Sequence, residues 1–293
     1  MSSSINWDEQ AQHYSSNVTR FTSLHASDLI GALYNDIKSA RTILDIGCGP
    51  GAFGVAYLNS FPQGIDGQTL ILSDLSPVMV DKARNVMESL VPPTFKTKLE
   101  YKVEDGALLE GIETDSIDVV VSIFGVFLIP DRIKTLKTIQ RVLTKPNGVF
   151  GTAVWTSLEC SDSLRKEGFG AGFHNSMDQS LGGLTNMFSD KEAPWKQWVD
   201  RDNIQRMVVD EGGFASVRIH RAIHSIPWPS AFDFWKMIAI SVKADEADPA
   251  VVEDAKTKLI ETVNNGDETS PVFLWFASNL VVARGASFDQ LEN

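Results

Sequence analysis

The chain has 293 residues, 43% of them hydrophobic and 22% charged, which is an ordinary globular composition with ample material for a core. Its formal net charge of −12 argues against a grip on long DNA or RNA, whose phosphates are held by Lys and Arg in excess. With Cys48 and Cys160 as its only cysteines and no cluster of histidines, it has no disulfide framework and no zinc-type ligand set, so no metal is expected.

The opening residues "MSSSINWDEQ" lack the basic and apolar regions of a secretory signal. No stretch nears the roughly 18 apolar residues of a membrane span. A cytoplasmic protein without membrane or nucleic-acid partners is expected. From residue 24 onward, helix-like patterns alternate with short apolar runs. "TILDIG" (42–47), "TLILSDL" (69–75), "LEYKVED" (99–105), "IDVVVSIF" (117–124) and "GVFGTAVW" (148–155) read as strands, rich in β-branched residues and bounded by Gly, Pro or polar clusters. Ser76 before Pro77 is an N-cap signal, and the apolar positions Val78, Met79, Ala83, Val86, Met87 and Leu90 predict the helix that follows. Asp131 is placed to cap another, with Ile133, Leu136, Ile139 and Leu143 at roughly helical spacing. Strand–helix alternation of this kind predicts a doubly wound α/β sheet with parallel strands.

Beyond residue 156 the pattern loses its periodicity and reads as an insertion over the active face. A helix near 202–211 stops at Gly212-Gly213, then come a strand "SVRIHRAIHSI" (216–226), helices over 230–243 and 249–263, and a last strand "SNLVVARG" (278–285). Six of the seven tryptophans follow residue 150 and read mainly as packing.

The first strand runs directly into a glycine-rich turn, where backbone N–H groups and a helix N-terminus can approach a ligand closely. Two registers are legible there. Gly49-Pro-Gly51-Ala-Phe-Gly54 is a dinucleotide fingerprint, and Asp45-Ile-Gly47-Cys-Gly49-Pro-Gly51 is D-x-G-x-G-x-G. A dinucleotide loop places its first glycine immediately after the strand, and here that residue is Gly47, two positions before the G-x-G-x-x-G register begins. Asp45 falls on a strand expected to be buried on both faces, so its carboxylate needs a partner. The ammonium-bearing end of a sulfonium cofactor, or backbone donors around it, would supply one. Asp74 ends the second strand, where either cofactor class places an acid for ribose hydroxyls. Asp105 follows the third strand, where a carboxylate can accept the adenine amino proton. The only Tyr-x-x-x-Lys, Tyr34 to Lys38, precedes the first strand and is misplaced for a reductase.

Asp45-x-Gly47-x-Gly49-x-Gly51, then Asp74, then Asp105-Gly106-Ala107, resembles the class I S-adenosyl-L-methionine-dependent methyltransferases. "SIDVVVSIFGVFLIPDRIKTLKTIQRVLTKPNGVF" is similar to that family's fourth strand, following helix and fifth strand. The likeness covers residues 40–155 well and 200–285 more loosely. It implies a Rossmann-like, seven-stranded sheet in the order 3-2-1-4-5-7-6 with helices on both faces and the seventh strand antiparallel. It also implies one methyltransferase domain over 1–293. Within it, 1–40 would form an N-terminal helical lid, 41–155 the cofactor-binding half and 156–200 the insertion. Residues 201–293 would carry the antiparallel pair and cap helices. Carried over residue by residue, Gly47, Gly49 and Gly51 would pass beneath the methionine part and ribose of S-adenosylmethionine, and Asp45 would orient that end. Asp74 would hold the ribose hydroxyls, Leu75 and Met79 would pack beside the adenine, and Asp105 would take its amino group, with Gly106 and Ala107 adjoining. The backbone of Ser122 would meet the methionine ammonium. The product would be S-adenosyl-L-homocysteine.

The loop after the fourth strand reads "SIFGVF" and lacks the (Asn/Asp)-Pro-Pro-(Tyr/Phe) stretch by which amino methyltransferases acting on adenine resemble one another. Phe124 and Phe127 would instead present an apolar wall to a small organic acceptor, and Tyr14 with the N-terminal stretch would close over the cofactor. His13, His25, His174, His220 and His224 are scattered. His174, in "GFHNSM", is the single candidate for a general base, while His220 and His224 read as surface or packing residues. An aromatic pocket without an evident base suits an acceptor that ionises readily, such as a thiol. In general layout the chain is similar to fungal thiol methyltransferases that cap reduced epidithiodiketopiperazines of the gliotoxin type. O-, N- or C-methylation of another metabolite, as in quinone biosynthesis, and a non-catalytic cofactor-binding partner protein are the alternatives.

Overall fold

The computed structural model describes Asp8 and residues 16–160, 197–241 and 248–285. In chain order the elements are α1 (Ser16–Ala32), α2 (Tyr34–Ser39), β1 (Thr42–Ile46), α3 (Ala52–Ser60), β2 (Thr69–Asp74), α4 (Pro77–Leu90), β3 (Lys98–Val103) and β4 (Val119–Ile123). After a 3₁₀ turn at Val126–Leu128 come α5 (Arg132–Val142), β5 (Val149–Cys160), α6 (Arg201–Gln205), β6 (Ser216–Trp228), α7 (Ala231–Ser241), α8 (Pro249–Asn264) and β7 (Val272–Arg284). The chain divides into two compact units, one holding residues up to Val154 with 197–221 and the segment from Asn279, the other holding 155–196 and 222–278. Among the described residues, no helix is long and apolar enough to cross a membrane.

Among the described residues the sheet has seven strands in the order β3-β2-β1-β4-β5-β7-β6. The arrangement around β1 is the expected one. β1 pairs in parallel with β2 and β4, β2 with β3, and β4 with β5. Gly285 N–H donates to Gly148 O (2.9 Å) and Ala215 N–H to Arg284 O (3.0 Å). The end of β7 therefore meets the starts of β5 and β6, and β7 runs antiparallel to both.

The first unit shows why these residues form a parallel sheet. All five β4 residues are buried, as are four of the five in β1, the pattern of strands covered by helices on both faces. Ser76 caps α4 by accepting from Met79 N–H at 3.1 Å with Pro77 in the first turn, and Asp131 caps α5 by accepting from Lys134 N–H at 3.0 Å, each as the sequence predicts. The buried Gln68 amide donates to Ile37 O (2.8 Å) and Ala40 O (2.7 Å), and Gln68 Oε1 accepts from the Tyr57 hydroxyl, fastening the end of α2 to the start of β2.

In the second unit Trp228 and Phe234 meet edge-on at 5.3 Å and are both buried. Each aromatic side chain removed from water in this way contributes about 1.5–3 kcal/mol. Ser230 caps α7, accepting from Asp233 N–H at 3.0 Å while its hydroxyl donates to Asp233 Oδ2 at 2.8 Å. Two expectations need correction. The helix over 202–211 is α-helical only to Gln205, after which Gly212 N–H reaches back five residues to Met207 O in a wider, π-type turn. The last strand begins at Val272, six residues before the expected 278.

Candidate functional site

β1 lies between β2 and β4, with Asp45 opposite Leu72 on one side and Val121 on the other. The strand order reverses there, and in open α/β sheets ligands bind in the crevice beyond the carboxyl ends of strands at such a point. The segments that leave β1, β2, β3 and β4 at that end carry Asp45, Gly47, Gly49, Gly51, Asp74, Leu75, Asp105 and Phe124.

Gly47, Gly49 and Gly51 all have positive φ (+65°, +51° and +96°). Gly47 lies close to Gly125, after β4: a Cβ on Gly47 would lie 3.2 Å from Gly125 Cα. A Cβ on Gly125 would lie 2.9 Å from Ser122 Oγ, 3.0 Å from Ile46 O and 3.1 Å from Gly47 O. Ser122 Oγ donates to Ile46 O at 2.7 Å and accepts from Val126 N–H at 2.9 Å, so one hydroxyl joins the two loops. The Ser122 carbonyl accepts from the Thr152 hydroxyl at 2.7 Å. Gly125→Ala is expected to push these loops apart at an overpacking cost of about 1–3 kcal/mol. Thermal unfolding would show this as a Tm several degrees lower, and an unchanged Tm would mean the loops have slack. Gly51 caps α3, while Gly49 borders open space.

Asp74 organises this loop directly. Its Oδ2 accepts from Gly49 N–H at 2.9 Å and its Oδ1 from Ser76 N–H at 3.0 Å. A carboxylate offers about four acceptor positions, so acceptor capacity remains for a ligand. Burial pushes the Asp74 carboxyl up; the amides of Ser76, Gly49 and Leu75 pull it back, and Asp8 adds a like charge. Asp8 is absent from the expected set, yet it accepts from the Ser76 hydroxyl at 2.5 Å.

Asp45 is only 1% exposed, and neither carboxylate oxygen has a hydrogen-bond partner. Burial, then the charge of Asp74, pushes its carboxyl well above the ordinary range. A carboxylate in this position fits a cationic ligand group, because a buried unpaired charge is otherwise expensive. Burial and the charges of Asp45 and Asp74 likewise push the Cys48 thiol well up, which disfavours the reactive thiolate.

Asp105 is exposed, and its Oδ1 accepts from Ala107 N–H at 2.8 Å. A Cβ on Gly106 would lie 2.6 Å from Ile46 Cγ2, so this loop lies directly against the end of β1. Of the two residues expected beside adenine, Leu75 is 57% exposed and offers a surface, whereas Met79 is 2% exposed and belongs to the core under α4. Val103, opposite Asp74 in register and 56% exposed, adds an apolar surface that was not anticipated. Phe124 and Phe127 are both buried, Phe124 with φ +56°. His25, fully buried on α1, meets the Phe124 ring edge-on at 5.4 Å. It is the described histidine nearest the expected acceptor wall, and nothing in its local sequence distinguishes it. Tyr14 and His174 lie outside the described residues.

Residues 43–148 match the family model of a methyltransferase domain. Solved structures share its fold at low identity. A protein assigned as a methyltransferase from Bacillus halodurans is 15% identical, with TM-score 0.54, over 89% of this chain and 100% of that one. The YcgJ protein of Bacillus subtilis is 16% identical, with TM-score 0.53, over 89% and 99%. The CurJ carbon methyltransferase is 15% identical, with TM-score 0.50, over 94% of this chain and 57% of its own. No curated protein matches. The residues around the end of β1 would fit S-adenosylmethionine as a ligand: an unpaired buried acid for a cation, an acid with spare acceptor capacity for a diol, and glycines where backbone must come close.

Proposed function

We propose that the chain transfers the methyl group of S-adenosylmethionine to a small organic acceptor in the cytoplasm, and that the acceptor is a thiol or dithiol of a secondary metabolite. The observation that carries the donor half is Asp45, a buried carboxylate without a protein partner beside the glycine loop. In this reading Asp45 faces the cationic methionine end, with Gly47, Gly49 and Gly51 beneath it and the Ser122 backbone alongside. Asp74 holds the ribose. Asp105, Gly106 and Ala107 border the adenine, with Leu75 against its face. When bound, the sulfonium supplies an electrophilic methyl carbon, and the protein's contribution is chiefly to align the acceptor with it.

Phe124, Phe127 and Tyr14 are assigned to the acceptor side, where an apolar wall favours an organic molecule over a nucleic acid. A thiol titrates near pH 8.5 and a phenol near 10, so sulfur needs less help from a base. His174 is assigned that help where it is needed. The likeness of layout to gliotoxin-type thiol methyltransferases supports the same choice.

The test is a methyl-transfer assay read by mass spectrometry, with S-adenosylmethionine and a panel of reduced dithiols, monothiols, phenols, amines and quinols. Methylation is expected on the dithiols. A product confined to phenols, amines or quinols would keep the donor assignment and overturn the sulfur one. No release of S-adenosylhomocysteine with any acceptor, while the donor still binds, would favour a partner protein without catalysis.

A further inference from the structure

We infer that Arg141 is a positioning residue for recognition of the donor's adenine base, acting through the loop that carries Asp105; this rests on the assignment of adenine to Asp105 made above. Asp105 is exposed and has no packing of its own to fix it. What orients it is a turn. Its side chain accepts from Ala107 N–H, and its backbone carbonyl accepts from Leu108 N–H at 2.9 Å and Leu109 N–H at 2.8 Å. The turn ends on Leu109, fully buried with φ +48°. A branched side chain persists in that left-handed region only where its surroundings hold it.

The hold comes from α5. Arg141 Nη2 donates to Leu108 O at 3.2 Å and Leu109 O at 2.8 Å, while Nη1 donates to Ile112 O at 3.0 Å and Thr114 Oγ1 at 3.3 Å. One turn earlier, the Thr138 hydroxyl donates to Ala107 O at 2.9 Å. A guanidinium carries its donors in one rigid plane. Its four oxygen partners, all between residues 108 and 114, are therefore fixed relative to one another as well as to the helix. Charge-assisted bonds of this kind are stronger than those between neutral groups. Among the described residues Arg141 forms no ion pair, so its donors serve this loop. Because the same loop packs Gly106 against Ile46, its position is registered to the end of β1, where the rest of the donor site lies.

The experiment is calorimetric titration of the wild-type chain, Arg141→Met, Thr138→Val and Asp105→Ala with S-adenosylhomocysteine and with S-inosylhomocysteine, whose base has an oxo group in place of the amino group. A site built to accept a hydrogen bond discriminates against an analogue lacking the donor. The wild type is expected to prefer the adenine ligand by about tenfold or more, the worth of one such bond. Arg141→Met is expected to lose most of that preference, weakening the adenine ligand while leaving the inosine ligand within about twofold. A residue that merely stabilised the fold would weaken both alike, and an unchanged ratio in Arg141→Met would overturn the inference. If Asp105→Ala keeps the wild-type preference, the placement of adenine at Asp105 is what fails, and the inference falls with it. Should Arg141→Met not fold, Thr138→Val removes only the bond to Ala107 and is expected to lower the ratio by about threefold. No change there would count against the inference in the same way.

Discussion

Asp74→Ala is expected to weaken S-adenosylmethionine binding by about 10- to 150-fold, the equivalent of about 1.5–3 kcal/mol for hydrogen bonds to a charged acceptor. Two losses combine. The ribose hydroxyls lose the spare acceptor positions of the carboxylate, and Gly49 and Ser76 lose the oxygens that hold their N–H groups at 2.9 and 3.0 Å. The second loss loosens the glycine loop and the start of α4 together. Asp74→Asn is expected to fall between wild type and alanine, because its amide keeps one acceptor but turns an NH₂ toward a backbone N–H. Calorimetric titration reads both. Unchanged affinity in Asp74→Ala would remove the ribose from the end of β2 and undo the register assigned to the site.

Asp45→Asn is expected to move stability and binding in opposite directions. The Asp45 carboxyl titrates well above its ordinary range in the folded chain, through burial and then the charge of Asp74. Between the ordinary carboxylate value near 4 and that raised value, the folded chain binds more protons at this site than the unfolded chain does. Stability therefore falls as pH rises across the window, and the deficit is complete above it. Each unit of separation costs about 1.4 kcal/mol. The asparagine variant has no such slope. Without ligand it should be the more stable protein at neutral pH, by several degrees in Tm, with a margin that shrinks as the pH is lowered toward about 4. Its affinity for S-adenosylmethionine should drop by about tenfold or more, as the cationic end loses its counter-charge. Thermal unfolding across this pH range decides the point. A variant less stable than wild type at every pH would show that Asp45 is already satisfied by the protein.

The parallel half of the sheet was legible because its signals are local. β-branched runs, Ser76-Pro77, Asp131 and the glycine turn each declare themselves within a few residues, and the acids at the strand ends fall at the offsets such a fold requires. The start of β7 was also written locally: Val272, Leu274 and Phe276 are buried around an exposed Phe273. The alternation is short and crowded with aromatics, so it reads as packing rather than as a strand. Other features were out of reach because they join distant residues. Asp8 meets Ser76 across 68 positions. Arg141 meets Leu108 across 33, and in sequence it is only a basic residue near a helix end. His25 is one of five scattered histidines until α1 brings it to Phe124. Met79 shows the converse: helical spacing fits a core residue and a ligand contact equally well, and only burial separates them.

Ser122 also bears on how donor and acceptor roles divide within the protein. With one hydroxyl fastening the turn after β1 to the turn after β4, the floor of the crevice is assembled during folding, before any molecule enters it. A donor arriving there has little backbone left to order, so its affinity is taxed less by lost conformational freedom than that of a ligand for a mobile loop. A floor braced from within also leaves the acceptor wall open to change. In the proposed reading, substitutions that reshape the surroundings of Phe127 for a different methyl recipient could accumulate while the glycine loops keep their form.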